Sequence, residues 1–241
     1  MRLDVYLCES GLCDSRTESK KFITDGAVTV NGSVVKKPSH SVAENDKIDV
    51  DKSGKLFVSR GGIKLDEALS SFSVDPTGVV ALDVGASSGG FTDCLLKHGA
   101  RTVIAVDSGS GQLADSLRRD ERVISIEGYN ARYMKPTDFP FIPSLAVMDV
   151  SFISATYIIP SVYAVLSENS DFICLIKPQF EVGRSHIGKG GIVKDPAYRR
   201  MAVDKVVEFA RTCGFVLVSV IESPIKGGDG NTEYLAHFRK E

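Results

Sequence analysis

VVALDVGASSGGFTDCLLKHGARTVIAVD, residues 79–107, is the stretch that decides the fold. Val79 to Val84 is apolar apart from Asp83, the pattern of a strand covered on both faces of a parallel sheet, and Asp83 at its end is a candidate contact for a bound molecule. Gly85, Ser87, Gly89, Gly90 and Phe91 then form a turn that opens a helix, and missing side chains there let a bound molecule approach the backbone. Thr102 to Val106 is the next strand. Asp107 ends it about twenty residues after the turn, where a carboxylate can hold a ribose diol. The loop lacks the Gly-Lys-Ser/Thr ending of a nucleoside triphosphatase and the full G-x-G-x-x-G spacing of a dinucleotide site. On these residues alone, a cofactor site and ordinary turn chemistry stand even.

Working outward, apolar runs at Val123 to Ile126, Ser144 to Val150 and Asp171 to Ile176 alternate with helix-like stretches after Gly89, Gly111 and Ser154. That alternation predicts an α/β fold with a mostly parallel, Rossmann-like sheet. A long amphipathic helix is expected from Asp195 to Arg211. Phe215 to Ile221 and Glu233 to Phe238 read as strands joined by SPIKGGDGN, which is too short for a crossover helix, so the last strand should run antiparallel.

The first quarter of the chain reads differently. Leu3, Tyr6, Leu7 and Leu12 suggest a helix ending near Gly11, and Ser15-Arg16-Thr17-Glu18 has the spacing of a capping box that starts a second helix, stopping at Gly26. Val28-Thr29-Val30, Asn31-Gly32 and Val34-Val35 form a hairpin pattern, because Asn-Gly accepts the two positive φ angles of a primed turn. Asp46 to Val50 supplies a third strand. These elements predict a small α+β domain at 1–58 and a larger one at 59–241.

Composition bounds the function. With 241 residues, 43% hydrophobic and 25% charged, the chain is globular rather than disordered. Arg2, Asp4 and Glu9 interrupt the place where a secretion signal needs an apolar run, and no uncharged apolar stretch reaches spanning length; no membrane role and a cytoplasmic location are expected. Five cysteines without a Cys-x-x-Cys pair and four scattered histidines predict reduced thiols and no metal. Residues 1–60 hold ten basic against nine acidic side chains, so only clustering can make an RNA face. Arg16 and Lys20 share a helix face, with Lys21 adjacent and Lys36 and Lys37 after the hairpin. On the pattern alone, solvated surface lysines are the reading to favour.

SRTESKKFITDGAVTVNG, residues 15–32, resembles the small RNA-binding domain of some ribosomal proteins, pseudouridine synthases and tyrosyl-tRNA synthetases. The resemblance implies phosphate contacts for Arg16, Lys20 and Lys21. DVGASSGGF with VIAVD resembles an S-adenosylmethionine-dependent methyltransferase. More specifically, SRGGIKL at 59–65, MDVSFIS at 148–154, IKPQFE at 176–181, GGIVKDP at 190–196 and GDGNTEYL at 228–235 resemble the TlyA family, whose members often carry the name haemolysin. That family joins the RNA-binding domain to an FtsJ-like ribose methyltransferase. The resemblance implies a Lys-Asp-Lys-Glu tetrad at Lys64, Asp149, Lys177 and Glu233, with S-adenosylmethionine as methyl donor. It also implies a partner in ribosomal RNA or a ribosomal subunit and a cytidine target in the large-subunit RNA.

A ribose 2′-hydroxyl is a weak acid and poor nucleophile, which is why such a set is needed. Lys177 is expected to orient or deprotonate it. Burial and the Lys64 charge would favour a neutral Lys177, whereas Asp149 and Glu233 would oppose that. Asn130, after the third strand, is expected to contact the donor, and the neighbouring Arg132 is left open to an RNA role. Two other functions compete: a membrane-lytic haemolysin and a non-catalytic RNA-binding assembly factor.

Overall fold

The structure, a computed structural model, describes residues 1–43, 45–51 and 57–241. The chain divides into two compact units, Met1–Arg60 and Gly61–Glu241.

In the first unit, helices α1 (Leu3–Glu9) and α2 (Arg16–Thr24) pack on a three-stranded antiparallel sheet ordered β2-β1-β3, with β1 at Val28–Val30, β2 at Ser33–Val34 and β3 at Ile48–Val50. Leu3, Leu7, Phe22, Ile23, Val28 and Val30 form its core. Ser15 caps α2 by accepting from the Glu18 amide at 3.1 Å. The expected reciprocal half of the capping box is replaced: the Glu18 carboxylate accepts from the Asp14 amide at 2.5 Å instead. Asn31 and Gly32 take φ of 51° and 77°, the primed turn that matches strand twist. The Asn31 side chain then ties the hairpin to β3 through Asp46 Oδ1 and the Lys47 amide.

The second unit contains the large sheet. Its strands are β4 (Val80–Val84), β5 (Thr102–Val106), β6 (Val123–Ile126), β7 (Leu145–Met148), β8 (Ser170–Ile176), β9 (Phe215–Glu222) and β10 (Tyr234–Lys240). Their order is β6-β5-β4-β7-β8-β10-β9, with β10 antiparallel to both its neighbours and the remaining strands parallel. Helices α3 (Gly61–Phe72), α4 (Gly90–Lys97), α5 (Asp115–Arg118), α6 (Ile159–Val165), α7 (Pro178–Glu181) and α8 (Pro196–Thr212) complete it. β4 is buried along its whole length, as its apolar run requires. Asp195 caps α8 by accepting from the Ala197 amide at 2.8 Å, and Pro196 fits the first turn because that position has no hydrogen bond to lose. The expected strand at Ser144 to Val150 is shorter than its apolar pattern, since the chain turns at Asp149 to build the site.

Candidate functional site

The sheet changes direction between β4 and β7, and a crevice opens where successive connections leave the carboxyl ends on opposite faces. The glycine turn lies at that point. The Gly85 and Ala86 amides both donate to Val106 O, at 2.8 and 3.1 Å, folding the turn over the end of β5. Gly85 has φ +86°, and a Cβ there would collide with the Asp149 carbonyl, so a side chain is excluded twice over. Asp107 accepts from the Ser87 amide through Oδ2 and from the Gly109 amide through Oδ1, both at 2.7 Å. A carboxylate held this way is fixed in orientation while keeping lone pairs for a ligand.

A cavity of about 570 Å³ fills the crevice, and Gly85, Ser87, Asp107, Asn130 and Asp149 line it. Four other expected contacts act from behind the wall. Asp83 is fully buried and accepts from Thr92 Oγ1 at 2.6 Å. Gly90 and Phe91 are buried in the first turn of α4, and Gly89, at φ +94°, lies where any Cβ would strike Leu113 and Leu117. Asp83 Oδ1 is buried without a hydrogen-bond partner among the described residues. Burial, together with the charges of Asp149 and Asp107, pushes the Asp83 carboxyl up to about 7. Asp83, Asp107 and Asp149 thus lie close enough to act on one another.

The sheet register brings the proposed tetrad to one edge. Val84 faces Met148 across β4 and β7, Met148 faces Cys174 across β7 and β8, and Ile176 faces Tyr234 across β8 and β10. Asp149, Lys177 and Glu233 are the residues next to these partners. The antiparallel run of β10 places its start beside the ends of the parallel strands, which is how Glu233 reaches that edge. Pro178 keeps Lys177 extended at φ −108°, so the strand continues straight into the lysine before α7 begins. Lys177 Nζ lies 2.5 Å from Asp149 Oδ1 and donates to Ser151 Oγ at 2.8 Å. Lys64, on α3, lies 2.5 Å from Glu233 Oε2, with both side chains buried. The Lys64 charge expected to act on Lys177 is thus already matched by Glu233.

Sequence reasoning missed three residues here. Ser151 is one, visible only as a hydroxyl two positions after Asp149. Phe152 is 92% exposed at φ +64°, a costly conformation for a non-glycine, and it lines the cavity while its ring lies tilted against that of Phe180, centroids 5.4 Å apart. Buried Glu181 is the third: it accepts from Ser154 Oγ at 2.5 Å, the Ala155 amide at 2.7 Å and Lys205 Nζ at 3.0 Å, anchoring the loop that carries Ser151. The fold also gathers Asp66, Cys94 and His98, which the sequence shows as isolated, with donor atoms within 4.8 Å of one another. His98 Nε2 and Asp66 Oδ1 already bond to each other at 2.7 Å, and burial raises the Cys94 thiol far above its ordinary range, away from the thiolate a metal needs.

In the first unit, Lys20, Lys36 and Lys37 are exposed. Lys21 donates to Val58 O at 3.2 Å. Arg16 joins Arg2 in gripping fully buried Asp4, at 3.1 and 2.9 Å, and this holds the Asp4 carboxyl well below the usual carboxylate range. Arg60 Nη1 donates to Asp25 O at 2.9 Å and approaches Gly26 beside the Lys36 side chain, so it joins the basic residues around the end of α2.

This strand order, with a glycine turn and a strand-end acid at the point of reversal, defines the class of S-adenosylmethionine-dependent methyltransferase folds. Residues 57–240 match the FtsJ-like methyltransferase family and residues 1–48 match the S4 domain. The chain belongs to the FtsJ-like methyltransferase family and carries an S4 domain before it. It is 45% identical over 239 residues to "Hemolysin A" of Brachyspira hyodysenteriae, covering 99% of each chain. It is 40% identical to the "16S/23S rRNA (cytidine-2'-O)-methyltransferase TlyA" of Mycobacterium tuberculosis (strain CDC 1551 / Oshkosh), covering 100% of this chain and 90% of that one. Among solved structures, a Streptococcus thermophilus protein named as a hemolysin superposes with a TM-score of 0.80 at 40% identity, covering 100% of this chain and 88% of the other. No described helix is long and apolar enough to cross a membrane.

Proposed function

We propose that the protein methylates a ribose 2′-hydroxyl in ribosomal RNA, at a cytidine of the large-subunit RNA, using S-adenosylmethionine. The observation that carries this reading is the Lys177–Asp149 pair, whose carboxylate lines the crevice cavity and whose ammonium also holds Ser151. The residues fit the donor. Gly85 lines the cavity and, having no side chain, lets the turn close against the Asp149 carbonyl; Asp107 presents a fixed carboxylate to a diol, and Asn130 lines the same cavity. Asp107 and Asp149, which line the cavity, present carboxylates to a ligand bearing cationic sulfonium and ammonium groups. When bound, the donor supplies an electrophilic methyl group.

Lys177 is the residue that meets the 2′-hydroxyl: its ammonium orients the oxygen, and as a base it must first release a proton, so that the neutral amine takes the hydroxyl proton while the oxygen attacks the methyl carbon. Asp149 and Ser151 fix the direction of its ammonium. Lys64 and Glu233 brace the same edge from α3 and β10, so that the oxygen is held in line for attack. Residues 59–241 carry out transfer, while residues 1–58 grip folded RNA by phosphate contacts from Arg16, Lys20, Lys21, Lys36 and Lys37. Arg16 has a second duty as counterion to buried Asp4.

Mass spectrometry of ribose-methylated nucleosides tests the reading. Large-subunit RNA incubated with donor and wild-type protein should gain one 2′-O-methylcytidine, and Lys177→Ala protein should leave it unmodified. A methyl group on a base, or none at all, would overturn it.

A further inference from the structure

Arg132 occupies an unusual setting just outside the cavity. Its guanidinium carbon stands 4.8 Å from the centroid of the Tyr157 ring and 5.9 Å from that of Tyr133. The two rings are 53% and 65% exposed, and Arg132 is exposed as well. Arg132 has no ion-pair partner among the described residues, so two aromatic faces hold its charge while no carboxylate neutralises it.

The cluster is fixed from both sides. The Arg132 amide donates to Asn130 Oδ1 at 3.1 Å, and its carbonyl accepts from Ser161 Oγ at 2.6 Å, joining the cavity wall to α6. Tyr157 ends a short 3-10 turn, Ala155–Tyr157, whose first amide is held by buried Glu181. Asn130, Ala131, Ile153 and Ile158 line the cavity, so Arg132, Tyr133 and Tyr157 stand next to its wall in the chain.

A guanidinium stacked on aromatics keeps the edges of its planar fork free, and those edges match a phosphate. Exposed tyrosine faces stack on nucleobases of any identity. A protein partner would favour an apolar or acidic complement, whereas single-stranded RNA supplies both an anion and a flat ring. We propose that Arg132, Tyr133 and Tyr157 form a docking platform for a nucleotide flanking the methylated ribose. Arg132 takes its phosphate and the tyrosines its base. This inference rests on the RNA-methylating reading above.

The test uses the full chain and in vitro transcribed large-subunit RNA. Wild type, Arg132→Ala, Arg132→Lys, Tyr133→Ala and Tyr157→Ala are compared by fluorescence-anisotropy RNA binding at several salt concentrations, by initial rates of transfer, and by calorimetry with S-adenosylmethionine. The alanine variants should bind RNA about tenfold more weakly and raise KM for RNA to match, with kcat within about twofold of wild type. Arg132→Ala should lower the salt slope by about one. Arg132→Lys should keep that slope yet lose part of the affinity, because an ammonium does not stack as a planar fork does. Donor affinity should stay unchanged. Wild-type RNA affinity and salt slope in all the variants would overturn the platform, as would a loss confined to donor binding or to folding. If wild type bound RNA but transferred no methyl group, the proposed function would fail, and the anisotropy comparison would still decide the platform.

Discussion

Lys64–Glu233 and Lys177–Asp149 are the same chemical pair at the same 2.5 Å separation, yet their surroundings differ. The first is sealed, with side chains 9% and 2% exposed, and it bolts α3 to the start of β10. The second sits at the cavity: Asp149 is 22% exposed, and the ammonium divides itself between a carboxylate and the Ser151 hydroxyl. A sealed pair owes its strength to the absence of water and has no way to receive a substrate. An open pair gives up part of that strength for access. One edge of the sheet thus carries a fastening and a working surface built from identical parts, and water decides which is which.

The largest expected effects follow from breaking each pair. Lys177→Ala should lower single-turnover methyl transfer by roughly a hundredfold to ten-thousandfold while leaving the melting temperature near that of wild type. Lys177→Arg keeps the charge but cannot release a proton, so near-normal transfer by that variant would remove the base role and leave orientation. Lys64→Ala should instead lower stability by about 3–5 kcal/mol in urea unfolding, because it strands a buried carboxylate. Lys64→Met combined with Glu233→Leu should regain most of that stability and, as expected of a fastening, most of the transfer rate with it. If Lys64→Ala melted like wild type, the distinction between fastening and working pair would be gone.

Asp83 sharpens the contrast as a third carboxylate with no cation. Its folded value of about 7 lies above the unfolded one, so folded protein keeps a proton that the unfolded chain has released. Its contribution to stability is therefore full below about pH 4 and declines as pH rises to about 7. A cationic donor favours the ionised form, so donor affinity should climb with pH through about 7, with proton release visible in calorimetry across buffers of different ionisation enthalpy. Asp83→Asn should flatten that dependence, and a wild-type profile in the variant would take Asp83 out of the donor site.

The smallest effect is expected at Glu181, which tethers only the loop behind the open pair. Glu181→Gln keeps an acceptor for the Ala155 amide but loses the charge facing Lys205, so a stability loss of about 1–3 kcal/mol is expected. The kcat should fall severalfold with little change in KM, and restoring Glu should recover it. An equal loss in KM would mean that the loop binds RNA rather than aligning Lys177.

Local chemistry made much of this readable from the sequence. The Asn-Gly turn, the Asp195 cap and the buried run of β4 are each set by residues within a few positions of one another, and each lies where its pattern indicates. Asp149, Lys177 and Glu233 could be located at strand ends or edges and Lys64 ahead of the sheet, but the four could not be matched into pairs. Lys64 and Glu233 are 169 positions apart, and no local rule says which acid a lysine meets across that span. Glu181 and Ser151 left no periodic trace because they act through side-chain hydrogen bonds. Glu18 shows a finer limit: the sequence specified a capping residue correctly, while the choice of amide it caps depended on where Asp14 lay.

The position of β10 also governs the order in which this protein can be made. It lies between β8 and β9 but is synthesised after both, with residues 177–233 separating it from β8. Until Tyr234–Lys240 is in place, β8 has an unpaired edge, β9 has no partner in the sheet, and Lys64 lacks its counterion. Non-local closure of this kind is slow, and such open edges invite association. Glu233 arrives with that closing strand, so a growing chain cannot assemble the methyl-transfer edge before its sheet is closed.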